Sequence, residues 1–173
     1  MIATEDATSP NFAFLAKRYP ELERIAARSE RYFSDDPLVS LITLRQFGEA
    51  LAQLVAARSG LYTDPTERQR DLLRRLRLDG RYPSNVLGLF DQLRKDGNAA
   101  THHHTGDHAK ALECLKMARK LGIWFTALLT ITISDHAHFS RRVHQSTQPP
   151  NSQPNSIDQE RTGTRHFRLE RTA

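Results

Sequence analysis

The feature that most constrains this chain is one long apolar stripe between Leu38 and Ser59. Its apolar residues recur at intervals of three and four, which is the period of an amphipathic helix. Asp36 and Pro37 precede the stripe as a helix cap and a first-turn proline, and Gly60 follows it as a left-handed stop. The pattern therefore predicts a long helix whose buried face carries Leu38, Leu41, Ile42, Leu44, Phe47, Leu51, Leu54 and Val55.

Other stretches repeat apolar residues with the same spacing, and none alternates with the period of two that marks a strand. The connections between them are only a few residues long, which favours neighbouring antiparallel helices. The sequence thus predicts an all-α fold, an antiparallel bundle of four to five helices. Further helices are predicted over Pro20 to Phe33, from Asp64-Pro65 to about Gly80, from Tyr82-Pro83-Ser84 to an interruption at Gly97, and from about Asp107 to Phe125.

A length of 173 residues fits one domain and a tail. We predict a flexible N-terminus over residues 1–10, a helical domain over 11–125 and a largely disordered tail over 126–173. Residues 146–156 read STQPPNSQPNS, a polar run of low complexity. Leu121 to Ile133 is uncharged but is shorter than the roughly 20 residues that span a membrane, so no membrane anchor is expected.

The cysteine content and the net charge of the chain limit the kinds of protein that it can be. The single cysteine, Cys114, excludes a disulfide framework and a thiolate zinc cluster and is typical of the cytoplasm. The net charge of +5 is spread along the chain, with 19 Lys+Arg against 16 Asp+Glu in residues 1–125 and 6 against 4 in the rest. A small positive charge spread along the chain produces only a weak electrostatic field, so it does not by itself indicate nucleic-acid binding.

Residues 94–108, RKDGNAATHHHTGDH, collect cations, an amide and four imidazoles between two predicted helices. Imidazole nitrogens are ligands for zinc, copper and nickel. Adjacent histidines rarely converge on one ion, however, and only His104 and His108 have the helical spacing of four that a metal pair prefers. We therefore predict no metal site here.

A ribonuclease site is a second interpretation of the same segment. His102 would be the general acid or base, Arg94 would stabilise charge on the phosphate, and Asn98 would orient the reacting groups. These three side chains would share one helix face only if the helix continued through Gly97. In the structural interpretation, Asn98 caps or bridges helices, His102 packs as a neutral hydrogen-bonded ring, and the following histidines point to water.

Arginines on the third predicted helix form a candidate phosphate-binding stripe. Arg70, Arg74 and Arg77 are its candidate nucleic-acid contacts, although such a charged face is more often simply solvated. The chain has no glycine-rich loop ending in Gly-Lys-Ser/Thr and no paired acidic motif of a metal-dependent nuclease. No cofactor is therefore expected.

Six segments of the chain carry a resemblance to a known family: NFAFL at 11–15, ERYF at 30–33, DDP at 35–37, LRQFGE at 44–49, LRKDGNAATH at 93–102 and LKMARKLGIWF at 115–125. Through these segments the chain resembles, over residues 11 to 125, the amino-terminal helical domain of type I restriction endonuclease R subunits, a HEPN-like domain of unknown function. HEPN ribonucleases carry Arg-x(4 to 6)-His and work as dimers, whereas seven residues lie between Arg94 and His102 here and six lie between Lys95 and His102.

The resemblance implies a non-catalytic accessory or interaction domain in DNA restriction and defence, without the family's nuclease and helicase parts. Its implied partners are the methylation and specificity subunits, with DNA reached through the complex and a homodimer as a further expectation. ATP and Mg²⁺ would belong only to the full-length enzyme. The alternatives are a HEPN-type metal-independent ribonuclease of a defence or toxin system, and an inactive remnant of a gene truncated or frameshifted after Phe125.

Overall fold

The computed structural model describes residues 9–104 and 106–146, with side chains as far as residue 129. Within these residues the chain forms six helices and no strand, so the predicted all-α bundle is confirmed. Residues 147–173, most of the predicted tail, lie outside the described part. The helices are α1 (Ala13–Ala16), α2 (Pro20–Tyr32), α3 (Pro37–Arg58), α4 (Gln69–Asp79), α5 (Ser84–His103) and α6 (His108–Ser146).

Helix α3 is the centre of the bundle, and it packs against α2, α4 and α5. Its start is the predicted one, because the Asp36 carboxylate accepts a hydrogen bond from the Val39 N–H at 3.0 Å. Its end is also as predicted, since Gly60 adopts a left-handed φ of 69°. The apolar stripe supplies the middle of the core, where Leu44, Phe47, Leu51 and Val55 are completely buried.

Helix α4 begins later than the sequence suggested. The Asp64-Pro65 pair was expected to open it, but the first helical residue is Gln69. The Asp64 carboxylate instead accepts hydrogen bonds from the N–H and the hydroxyl of Thr66, at 2.7 and 2.8 Å. This local turn satisfies the aspartate without starting a helix.

The predicted interruption of α5 at Gly97 is wrong, because the helix continues to His103. A Cβ at Gly97 would lie 2.5 Å from the Cβ of Arg45 and 3.1 Å from the carbonyl oxygen of Leu41. The glycine therefore allows α3 and α5 to approach closely, and it does not end a helix.

Helix α6 also extends beyond its predicted end at Phe125, to Ser146. The division of the chain into two units falls between Ser134 and Asp135, and residues 135–146 are the described part of the second unit. Of the N-terminal segment that was predicted to be flexible, only Ser9 and Pro10 are described. Ser9 is buried and its N–H donates to the Glu23 carboxylate at 3.0 Å.

Candidate functional site

The unbroken α5 brings Arg94, Asn98 and His102 to one side of a single helix. Arg94 is mostly buried and donates from Nε and Nη2 to the Asp91 carboxylate, both at 3.3 Å. Asn98 is half-buried, whereas His102 is exposed. The interpretation of His102 as a packed ring is therefore wrong.

Helical geometry sets the spacing within this trio. His102 follows Arg94 by eight positions, which amounts to about 12 Å along the helix axis and about 80° around it. Arg94 and Asn98 line a common pocket, and His102 is not part of its wall. The structure thus joins two of the three candidate residues.

The pocket that contains Arg94 and Asn98 lies between α3, α4 and α5 and has a volume of ≈ 430 Å³. Helix α3 contributes Arg45 and Glu49, and residues 65–70 form the remaining wall from the loop and the start of α4. We call this feature the polar pocket.

Gln69 is the most unusual side chain in the polar pocket. The residue is 6% exposed, and neither Nε2 nor Oε1 of its carboxamide has a hydrogen-bond partner among the described residues. Its Nε2 lies 3.8 Å from the position that a Cβ on Gly48 would take, so the amide is pressed against α3. A buried amide without partners costs roughly 1 to 3 kcal/mol, which makes such a group rare in a folded protein.

Arg45 has a similar shortfall of partners. Its Nε is buried without an acceptor in the described part of the chain, and its Nη2 is 3.7 Å from Glu49 Oε2, beyond hydrogen-bond distance. The carboxylate of Glu67 pairs with Arg75. Four arginines and two glutamates line the polar pocket, so its net charge is positive.

The arginines of the proposed phosphate-binding stripe are exposed, but two of them have acidic partners. Arg77 Nη2 lies 3.2 Å from Asp91 Oδ2, and Arg70 Nε lies 3.6 Å from Asp71 Oδ1. Arg74 is exposed on α4 and has no ion pair with any described residue. Only Arg70 of these three also lines the polar pocket.

The histidines do not converge. His108 Nε2 is 3.1 Å from the Ser34 carbonyl oxygen, and its ring meets Phe33 edge-on, so this side chain fastens the start of α6 to the segment before α3. His103 and His104 are exposed. Within residues 9–104 and 106–129, no group of three or more His, Cys, Asp or Glu side chains is placed to hold a metal ion.

Cys114 is buried in the core beside Asp96, and its thiol donates to Asp96 Oδ2 at 3.5 Å. Burial, followed by the nearby Asp96 charge, raises the pKa of the Cys114 thiol to about 12. The thiolate is the reactive form of cysteine, so this side chain is chemically inert in the folded protein.

Sequence reasoning missed Arg45 and Gln69, although a signal for both exists. Arg45 follows Leu41 by four residues, and Gln69 precedes Leu72 and Leu73 by three and four. Each therefore stands at a position where helical periodicity predicts an apolar side chain.

No helix in the described part of the chain is long and apolar enough to cross a membrane.

Comparison with known proteins shows one clear similarity. The chain is 37% identical over 120 residues to the endonuclease subunit of the type I restriction enzyme EcoKI from Escherichia coli strain K12. No protein-family model matches the chain, and no solved structure matches it. The matched region is 69% of this chain but only 10% of that subunit, so the chain is similar to one segment of a type I restriction endonuclease subunit.

Proposed function

We propose that the chain is a non-catalytic interaction domain of a type I restriction system. The observation that carries this proposal is the 37% identity over 120 residues to the EcoKI endonuclease subunit. The described residues form a helical bundle with one continuous apolar core, and such a rigid domain can present a fixed surface to a partner protein. Its expected role is to help assemble the machinery that restricts foreign DNA.

The arrangement of charged groups on α5 supports a non-catalytic role. Arg94 is already bound to Asp91, and His102 is exposed about 12 Å further along the helix axis. A general acid or base must reach its proton within hydrogen-bond distance while a second group stabilises the phosphate. Two side chains so separated are poorly arranged to act on one phosphate.

The methylation and specificity subunits are the proposed partners, with DNA reached through the complex. Leu112 and Ile123 on α6 are large apolar side chains that are 41% and 43% exposed. Eleven residues are close to three helical turns, so the two side chains lie on one face of α6. This face is the first place to test for contact with a partner subunit.

Co-expression with the methylation and specificity subunits of a type I restriction system tests the proposal. We expect a complex by size-exclusion chromatography with light scattering, and we expect Leu112→Glu combined with Ile123→Glu to weaken it. Leu78→Glu is the matched control, because Leu78 is 76% exposed on α4. A chain that elutes separately from both subunits at micromolar concentration would overturn the proposal.

A metal-independent ribonuclease is the second candidate function. The observation in its favour is the continuous α5, which places Arg94, Asn98 and His102 on one side of the helix. Cleavage of RNA in the presence of EDTA, lost on His102→Ala and retained on His103→Ala, would support this function. Equal activity in both variants would attribute the cleavage to a contaminant.

A further inference from the structure

We propose that the polar pocket binds a small phosphorylated ligand that also presents a hydrogen-bond donor beside an acceptor, which is the chemistry of a nucleoside monophosphate. The phosphate would be held by Arg45, Arg94 and the first turn of α4. The carboxamide of Gln69 would bind the edge of the ligand's base that carries a hydrogen-bond donor beside an acceptor. This binding role goes beyond the interaction function proposed above and does not depend on it.

The unsatisfied carboxamide of Gln69 is the strongest evidence for a ligand. Both of its polar atoms lack partners although the residue is 94% buried, and the side chain lines the polar pocket. A carboxamide offers a donor and an acceptor side by side, and its standard nucleobase partner is adenine through N6 and N7. A ligand with such an edge would satisfy both atoms together.

The guanidinium groups provide the anion-binding part. Arg45 Nε is buried without an acceptor among the described residues, and its only ionic neighbour, Glu49, is 3.7 Å away. Arg94 uses Nε and Nη2 on Asp91, which leaves Nη1 as a further donor. A planar guanidinium matches the geometry of phosphate oxygens, so these two groups are suited to a phosphate.

The start of α4 adds donors of a different kind. No side chain caps this 11-residue helix, and among the described residues the N–H groups of Gln69 and Arg70 donate to no acceptor. Free amides at a helix N-terminus, together with the helix dipole, favour an anion at this position. The buried Gln69 and Arg45 atoms are independent of this effect and indicate a ligand in the same place.

Size and charge agree with a mononucleotide. The polar pocket measures ≈ 430 Å³, which falls within the range of about 300 to 1,000 Å³ typical of small-molecule sites. Glu49 and Glu67 also line it and oppose an anion, but Glu67 is neutralised by Arg75. Arg68 and Arg70 at the rim complete a wall with more positive than negative groups.

Calorimetric titration of the full chain with AMP, inorganic phosphate and adenosine tests this assignment. We expect AMP to bind, and phosphate and adenosine each to bind at least tenfold more weakly, because each supplies only part of the contacts. Absence of binding by AMP at millimolar concentration would overturn the proposal. Phosphate that binds as tightly as AMP would show an anion site without base recognition and would also overturn it.

Three variants locate the binding site. Gln69→Leu should weaken AMP roughly tenfold or more and leave phosphate binding unchanged, because it removes only the contact to the base edge. Arg45→Met keeps the aliphatic stem that packs on α5 and should weaken both ligands. Arg74→Gln removes the same charge from an exposed site on α4 outside the polar pocket and should change neither.

Stability measurements separate these effects from misfolding. Gln69→Leu should unfold at the same or a higher urea concentration than the parent protein, because it removes a buried unpaired amide without leaving a cavity. Weaker AMP binding in a variant of undiminished stability would support the proposed contact. Equal weakening by Arg74→Gln and Arg45→Met would indicate nonspecific attraction to positive charge and would overturn the site.

Discussion

The close approach of α3 and α5 at Gly97 yields the sharpest prediction about the fold. Gly97 is buried in the interior of α5, where a Cβ would lie 2.5 Å from the Cβ of Arg45 and 3.1 Å from the carbonyl oxygen of Leu41. Both of these atoms belong to the rigid part of α3. The substitution Gly97→Ala must therefore push the two helices apart.

Two effects of opposite sign determine the magnitude. Alanine is favoured over glycine inside a helix by about 1 kcal/mol. Overpacking of a closely packed contact costs roughly 1 to 3 kcal/mol, and contacts with a Cβ and a main-chain oxygen place this case in the upper part of that range. The net expectation is a loss of about 1 to 2 kcal/mol in the free energy of unfolding.

Gly88 provides a matched control on the same helix. It is exposed, and no neighbouring atom lies within 4 Å of a Cβ placed there. Gly88→Ala should therefore raise the free energy of unfolding by about 1 kcal/mol, opposite in sign to Gly97→Ala. Urea denaturation followed by circular dichroism measures both. A Gly97→Ala protein as stable as the Gly88→Ala protein would refute the close packing of α3 against α5.

Four further predictions concern single side chains, and the first two of them concern Cys114. At pH 8 the Cys114 thiol should react with iodoacetamide about 1,000-fold more slowly than an unfolded thiol, because its pKa is raised from 9.0 to about 12; labelling at the rate of a free thiol would contradict this. The stability contributed by the protonated thiol is present below pH 9 and is lost as the pH rises toward 12, which urea titrations across this range can measure. Asp36→Ala should lower the free energy of unfolding by about 1 kcal/mol through loss of the cap on Val39, whereas Asp36→Ser should restore most of it in the same assay. Phe47→Ala should cost about 3 to 5 kcal/mol because the ring is completely buried, and Phe14→Ala, at a residue 40% exposed, should cost much less by urea denaturation.

The parts of the fold that the sequence predicts well are those set by local chemistry. Asp36 and Pro37 start α3 through a side-chain cap and a fixed φ, and Gly60 and Gly80 end helices in the left-handed conformation. The role of Gly97 could be assigned only from the tertiary structure, because a glycine that ends a helix and a glycine that lets a neighbouring helix approach look the same in sequence. The latter kind is revealed only by the Arg45 side chain packed against it.

The candidate site was predicted only in part for the same physical reason. Arg94 and Asn98 were identified from their spacing along one helix, which local geometry determines. Arg45 and Gln69 come from two other helices, and nothing in their spacing to Arg94 indicates that they meet. The same separation in sequence hid the partner of Arg77, since Asp91 lies on α5.

The ion pairs of Asp91 change what the arginines of this chain can do. Asp91 binds Arg77 on α4 and Arg94 on α5, so one carboxylate joins the two helices. A phosphate that approached Arg77 from solvent would have to compete with this carboxylate in a highly screened environment. In the polar pocket, Arg45 has a buried Nε without an acceptor in the described part of the chain, so an anion there would gain a contact without displacing one. An anion therefore finds more available positive charge in the polar pocket than at Arg77. The arginine-rich sequence of α4 had suggested the opposite, that α4 is the better site for an anion.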